Sequence, residues 1–254
     1  MGTSQLTLFT VPGIPLIHPG DDLVAIISNA LQAAQQEIVD GDVVIIAQKL
    51  ISKAEGRLVA LSSVEPGPEA IELAAAAEKE AGIAQLILDE SARILRRRPG
   101  VIIAEHNLGF VLANAGLDRS NVDVDDDMVL LLPLDPDKSA AELRSGLSAT
   151  AGASIGVIIA DSVGRAWRMG TTGMTLGCSG VEALANLRGH HDMFGRELLV
   201  SEHAIADSIA SAAQLLMGEA DEATPVVVLR GLEQGSSTQD SQLLLRPADE
   251  DMFR

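Results

Sequence analysis

The feature of the sequence that most constrains the fold is the stretch Ile155–Gly180, which begins with an unbroken apolar run and then becomes polar at once. The run Ile155–Ala160 has the length and the β-branched character of a buried strand. It ends at Asp161 and Ser162, where the sequence turns polar and rich in glycine. A carboxylate and a hydroxyl at such a point can hold a hard cation, although Asp-Ser-x-Gly is also ordinary turn chemistry. Both interpretations of this polar end remain open from the stretch alone.

Similar runs predict further strands, at Leu6–Val11, Asp42–Lys49, Val101–Glu105, Gly109–Ala113, Met128–Leu134 and Pro225–Arg230. Apolar residues at helical spacing, together with capping residues, predict the helices Leu23–Ile38, Pro68–Gly82, Gln85–Arg98, Lys138–Ala151, Val181–Leu187 and Ser201–Met217. The strand-like segments near 57–61, 101–113 and 171–176 each adjoin a strand without an intervening helix, which indicates hairpins. The predicted class is therefore α/β, or mixed α+β, with a mixed sheet and not a regular doubly wound one.

Composition bounds the size and the partners of the chain. Its 254 residues are 47% hydrophobic, enough for one large domain, with a smaller subdomain allowed within roughly 160–220. A net charge of −18 argues against nucleic-acid binding. The single cysteine, Cys178, fits a reducing compartment, and the chain lacks a leader pattern or an apolar run of about 18–20 residues. We expect a soluble, cytoplasmic protein that does not enter membranes.

Two other polar groups follow apolar runs. Gln48–Gly56 carries Lys49, Ser52 and Lys53, which can either receive phosphate oxygens or line a solvated loop. An acidic segment follows Asn-Ala-Gly, and from it we select Asp118 and Asn121 as candidate ligands. Its spacing does not match a calcium-binding EF-hand loop.

Three consecutive arginines, Arg96–Arg98, are predicted to end a helix, because cations in the last turn interact favourably with the helix dipole. Phosphate binding by these arginines is the less favoured alternative. The phosphate-binding loop, the dinucleotide fingerprint and the nucleophile elbow are all absent from the sequence. The candidate ligands that remain are carboxylates, hydroxyls and amides, and oxygen ligands of this kind suit magnesium or manganese. The residues alone allow a metal-dependent enzyme that handles a phosphorylated substrate.

A series of blocks in one order is similar to the coenzyme F-420:L-glutamate ligase family. The blocks, which span about Thr10 to Gly231, are VPGIPLIHPGDDL, DGDVVIIAQKLISKAEGR, ANAGLDRSNV, ADSVGRAWRMGTTG, LRGHHDMFGRELLVSEHAIAD and MGEADEATPVVVLRG. The resemblance implies GTP-dependent addition of L-glutamate, through γ-linkages, to the deazaflavin precursor F-420-0 in coenzyme F-420 biosynthesis. It also implies an unusual α/β ligase fold, an intertwined homodimer, two divalent ions (Mg²⁺ or Mn²⁺) and, in some members, K⁺. The nitroreductase-like domain that follows this module in actinobacterial members is not part of this sequence.

The resemblance also assigns residues. The implied nucleotide contacts are Ile14, Pro15, Leu16, Ile17, Gln48, Lys49, Lys53, Asn121, and the segment Met217, Gly218, Glu219, Ala220, Asp221, Glu222, Ala223 and Thr224. The implied metal ligands are Asp118 and Asp161 for one ion, and Ser162 and Glu219 for the other. Asp161 and Lys53 are the implied catalytic residues. Arg165, Arg168 and Arg188 are candidates for binding the precursor's phosphodiester or the incoming glutamate.

This chain departs from many members at two positions. Ser162 replaces a threonine and keeps the hydroxyl, whereas Glu219 replaces a glutamine and adds a charge that can tighten metal binding or change its selectivity. Two other functions stay open. One is a nucleotide- or deazaflavin-binding module without ligase activity, and the other is a related ligase that acts on another acidic substrate.

Overall fold

The computed structural model describes residues 5–120, 127–233 and 237–252. Within these residues the strands are β1 (Thr7–Thr10), β2 (Val43–Ala47), β3 (Leu58–Ala60), β4 (Ser91–Arg98), β5 (Val101–His106), β6 (Val111–Ala113), β7 (Met128–Leu130), β8 (Gly156–Gly164), β9 (Thr171–Ser179), β10 (Leu184–Asn186), β11 (Glu202–Ala204) and β12 (Val226–Arg230). The helices are α1 (Leu23–Ala33), α2 (Gln48–Ala54), α3 (Pro68–Ala77), α4 (Ala81–Asp89), α5 (Pro136–Ala151) and α6 (Ile205–Met217). No helix in this described part is long and apolar enough to cross a membrane.

Five strands form the main sheet in the order β1-β12-β2-β8-β9. The β2–β8 pair is parallel, and the other three pairs are antiparallel. The predicted mixed α/β class is thereby confirmed. The three central strands contain the β-branched runs of the sequence, and a strand covered on both faces can be apolar at every position.

Helices cover both faces of this sheet. On one face, α1, α2 and α5 pack against Val44, Ile46 and Ile159. On the other face, α6 packs against Val43 and Ile158. Successive residues of a strand point to opposite faces, so β2 and β8 each contribute to both cores.

A further hydrophobic cluster gathers residues between 59 and 131. It joins α3 and α4 to the three-stranded sheet β4-β5-β6 and to the β3–β7 pair. A small cluster of Phe110, Leu112, Leu132 and Leu176 connects this part of the chain to β9. The domain division proposed from the sequence stays a prediction.

The predicted helix over Gln85–Arg98 is wrong in its second half. α4 ends at Asp89, and Ser91–Arg98 is strand β4, paired with β5 through two register shifts. This pairing with the next strand of a hairpin overrides the helix propensity of leucine and arginine. The three arginines therefore lie on an exposed strand, and the helix-dipole explanation no longer applies to them.

Other predicted boundaries also change. The helix over Pro68–Gly82 stops at Ala77, because Glu78 is left-handed (φ 51°) and Lys79 N–H bonds back to the Ala74 carbonyl. The helix over Val181–Leu187 is wrong, since residues there form β10 and pair with β11. Cross-strand pairing again overrides a short local pattern.

Two glycines of β9 let helices reach its backbone. A Cβ added at Gly173 would lie 2.3 Å from the Ala210 carbonyl oxygen in α6. A Cβ added at Gly177 would lie 2.3 Å from the carbonyl carbon and oxygen of Pro136, in α5. In both cases the neighbour is backbone, so a larger residue would force the helix away.

We expect Gly173→Ala to destabilise the protein by roughly 1–3 kcal/mol through overpacking. Gly164→Ala is the matched control, because Gly164 lies in the same hairpin and a Cβ there meets nothing within 4 Å. Urea unfolding of both variants measures the difference. Equal stability of the two would show that α6 does not depend on this contact.

Candidate functional site

The candidate site lies at the edge of the main sheet where β2 and β8 end. Their parallel register pairs Ala47 with Ala160. Helix α2 therefore begins directly beyond this pair, and Asp161 lies directly beyond it on β8. The Ala47 N–H donates to the Pro225 carbonyl at 2.9 Å, which brings the segment preceding β12 to the same edge. Ligands in open α/β sheets bind at the carboxyl ends of strands such as these.

The expectation that the strand ends at Asp161 is wrong. β8 continues to Gly164, with Asp161 opposite Met174 and Ser162 opposite Gly173. The antiparallel partner β9 extends it beyond the apolar run, which a pattern of apolar residues cannot show. Strand alternation places Asp161 on the face covered by α2 and Ser162 on the face covered by α6. As cation ligands, these two side chains would therefore serve different ions.

Asp118 enters the site through a short bridge to Leu130, with both backbone hydrogen bonds formed at 2.9–3.0 Å. Lys49 Nζ lies 2.7 Å from Asp118 Oδ2 and also donates to the carbonyl and hydroxyl oxygens of Ser120. The backbone N–H and the hydroxyl of Ser120 both donate to Asp118 Oδ1 at 2.7 Å. The Lys49 ammonium thus links the first turn of α2 to the acidic segment.

Asp118 and Asp161 have opposite electrostatic environments. Burial alone would raise the pKa of Asp118, but Lys49 and Ser120 outweigh it and hold that pKa below its usual range. The pKa of Asp161 is raised to about 7, mainly by burial and further by the charges of Asp118 and Glu219. The Ser162 N–H and Lys49 offset only part of this rise. A carboxyl group in this position favours either a proton or a cation.

Glu219 lies just beyond α6. Its Oε1 accepts a hydrogen bond from Thr171 Oγ1 at 3.1 Å and another from Gln214 Nε2. The segment from Met217 to Thr224 is folded locally, because Thr224 Oγ1 bonds to the Leu216 carbonyl and Ala220 N–H bonds to Glu222. This segment and the start of α2 therefore border the same edge.

The structure brings the other predicted nucleotide contacts to α2. Gly20 N–H donates to the Ala54 carbonyl at 2.8 Å, which holds the loop of Ile14–Ile17 near the end of this helix. Leu16 is 82% exposed, whereas Ile17 is buried. Gln48 is buried, and its side-chain oxygen accepts from Ser52. Lys53 lies in the last turn of α2, and Asn121 lies outside the described residues.

Other polar side chains have different environments. Arg165 and Arg168 lie on the exposed connection between β8 and β9, and Arg188 pairs with Glu202 at 3.1 Å. Cys178 is buried, and burial raises the pKa of its thiol to about 12, which disfavours the thiolate form.

Sequence reasoning missed Ser120, Thr171 and Gln214. Ser120 had a usable signal, since a hydroxyl two residues after an aspartate commonly closes a local turn. Thr171 had no such signal, because its contact with Glu219 joins residues 48 positions apart along the chain. Gln214 had none because Glu219, 5 positions later, lies beyond the end of α6, where helical spacing no longer applies.

The donor set fits a hard cation, although it does not enclose one. Across residues 5–120, 127–233 and 237–252, no three His, Cys, Asp or Glu side chains are arranged to hold a metal. Asp118 and Asp161 nevertheless supply carboxylates at one edge, and serine hydroxyls lie beside them. Mg²⁺ in phosphate-handling sites takes one or two carboxylates and completes its shell with water and phosphate oxygens.

Comparison with known proteins identifies the family of this chain. The family model described as F420-0:Gamma-glutamyl ligase matches residues 13–231. The chain belongs to this family. Relatives named coenzyme F420:L-glutamate ligase include one from Methanothermobacter thermautotrophicus, 39% identical over 98% of this chain and 99% of its own length. Those from Methanopyrus kandleri and Methanocaldococcus jannaschii are 42% and 44% identical, over 100% and 87% of this chain and 99% and 88% of their own lengths.

The F420-0:gamma-glutamyl ligase match encloses the whole candidate site, from Ile14 to Thr224. It also confirms the family resemblance found in the ordered sequence blocks. The individual roles of the site residues stay predictions.

The raised pKa of Asp161 gives a pH-dependent prediction for the metal-free protein. The folded state keeps a proton that the unfolded chain has already released between about pH 4 and pH 7, so wild-type stability falls as the pH rises through this window. Asp161→Asn removes this loss, and its advantage over wild type should grow to about 4 kcal/mol near pH 8. Urea unfolding in chelator, with Asp249→Asn as an exposed control, measures it. A stability difference that does not change with pH would contradict the prediction.

Proposed function

We propose that this chain is a GTP-dependent ligase that adds L-glutamate, through γ-linkages, to coenzyme F-420-0. The observation that carries the proposal is the near full-length similarity to relatives named coenzyme F420:L-glutamate ligase. A compartment with reduced thiols, the cytoplasm, suits a chain with one buried cysteine.

The proposed reaction has two steps. The terminal carboxylate of F-420-0 attacks the γ-phosphorus of GTP, the bond to the bridging oxygen breaks, and GDP leaves an acyl phosphate behind. The amine of L-glutamate then attacks the acyl carbon, loses a proton and displaces inorganic phosphate, which forms the amide.

The first step brings two anions together inside a protein with a net charge of −18. Two divalent ions, held by Asp118 and Asp161 and by Ser162 and Glu219, would neutralise phosphate charge, and K⁺ is a further candidate. Lys49 supplies a cation of the chain's own, and we propose that its ammonium moves from Asp118 toward a phosphate oxygen. Lys53, on the same helix, is proposed to bind the nucleotide.

The decisive assay incubates the pure protein with F-420-0, GTP, L-glutamate and Mn²⁺ and follows the products by mass spectrometry. We expect glutamate-extended products from wild type, none from Asp161→Ala, and wild-type yield from Asp249→Ala, a change at an exposed carboxylate. GTP binding without product would favour the non-catalytic binding module. Extension of a different acid, and not of F-420-0, would favour a related ligase.

We also propose that the chain forms a homodimer through the ribbon at residues 184–204, which we call the arm. β10 and β11 form its base, and Leu187–Ser201 and Gly189–Leu198 backbone bonds of 2.9–3.0 Å extend it. At its tip, Met193 and Phe194 are 89% and 77% exposed, and an exposed apolar patch of this kind is typical of an interaction surface.

Light scattering after size exclusion tests the dimer. We expect wild type to elute as a dimer, and Met193→Asp/Phe194→Asp to shift the equilibrium to monomer by placing charges in an apolar interface. Glu197→Gln is the control within the arm. A monomeric wild type, or a double variant that remains dimeric, would contradict the proposal.

A further inference from the structure

The first half of β9 and the last turns of α6 form a polar seam. Gly173 lets the α6 backbone approach, and Ser211 Oγ donates to the Gly173 carbonyl at 2.9 Å. Thr172 Oγ1 and Ser211 Oγ share a second hydrogen bond of 2.9 Å. The seam fixes the height of α6 along β9, and therefore also the place where the chain leaves the helix.

Two residues at the end of this seam hold one carboxylate oxygen. Thr171, at the start of β9, and Gln214, in the last turn of α6, both donate to Glu219 Oε1. Within the described residues, Oε2 of the same carboxylate has no hydrogen-bond partner. The side chain is thus oriented by two elements while one oxygen stays available.

The strand register places this carboxylate on the α6 side of the site. Thr171 lies opposite Gly164, and Gly173 lies opposite Ser162, so Thr171 and Ser162 project to the same face of the hairpin. Asp161 projects to the other face. Ser162 and Glu219 therefore form a donor pair separate from Asp118 and Asp161.

We infer that Thr171 and Gln214 are positioning residues, which orient Glu219 so that Oε2 and the Ser162 hydroxyl bind a divalent cation. An exposed glutamate loses side-chain freedom when it coordinates a metal, and donors that fix it beforehand reduce that loss. Partners of this kind commonly change metal affinity by about 10–100-fold. The use of this ion in phosphoryl transfer rests on the proposed function, whereas its binding does not.

Electron paramagnetic resonance of free Mn²⁺, titrated with substrate-free protein, measures binding without any reaction. In Thr171→Val/Gln214→Leu we expect one class of Mn²⁺ site to weaken by about 10-fold or more and the other to be unchanged. Thr171→Ser keeps a hydroxyl and should bind as wild type. Thr172→Val is the matched control, because it breaks the adjacent hydroxyl pair without touching Glu219.

Wild-type Mn²⁺ binding by the double variant would overturn the inference. An equal loss in Thr172→Val would also overturn it, since the effect would then come from the seam as a whole. Thermal unfolding of each variant confirms that folded proteins are compared.

A wild type that forms no product but shows the expected Mn²⁺ pattern would refute the proposed function alone. Product formation with Mn²⁺ binding unaffected by the double variant would refute this inference alone.

Discussion

The parallel pairing of β2 with β8 is the constraint on which the candidate site depends. Because Ala47 lies beside Ala160, the first turn of α2 and the polar end of β8 must share one edge of the sheet. The antiparallel pairing of β12 with β2 brings the chain before Pro225 to that edge as well. Three sequence blocks far apart along the chain thus converge through backbone hydrogen bonds alone, before any polar side chain contributes.

This convergence has an electrostatic cost. Asp161 sits near Asp118 and Glu219 in a partly buried position, and Lys49 is already engaged by Asp118. The raised pKa of Asp161 shows this cost, because its carboxyl group favours either a proton or a cation over the bare charge. In the proposed reaction, cations bound here would neutralise the charges of the substrates as well as those of the carboxylates.

The sequence predicted the central strands correctly because Val43–Ala47 and Val226–Arg230 are buried on both faces and need no partner to be recognised. It failed at β4 and at the extension of β8, where a neighbouring strand decides the conformation. Likewise, Lys49 was identified as a phosphate-binding candidate, but its contact with Asp118 is 69 positions distant along the chain. Local sequence patterns indicate which residues are buried, but only the fold shows which polar residues come into contact.

Anomalous diffraction at the manganese edge, from crystals grown with GDP and Mn²⁺, tests the central claim that this edge is a cation and nucleotide site. We expect one anomalous peak between the carboxylates of Asp118 and Asp161 and a second between Ser162 and Glu219, with the nucleotide phosphates beside α2. A bound nucleotide whose manganese peaks lie away from both donor pairs would contradict it.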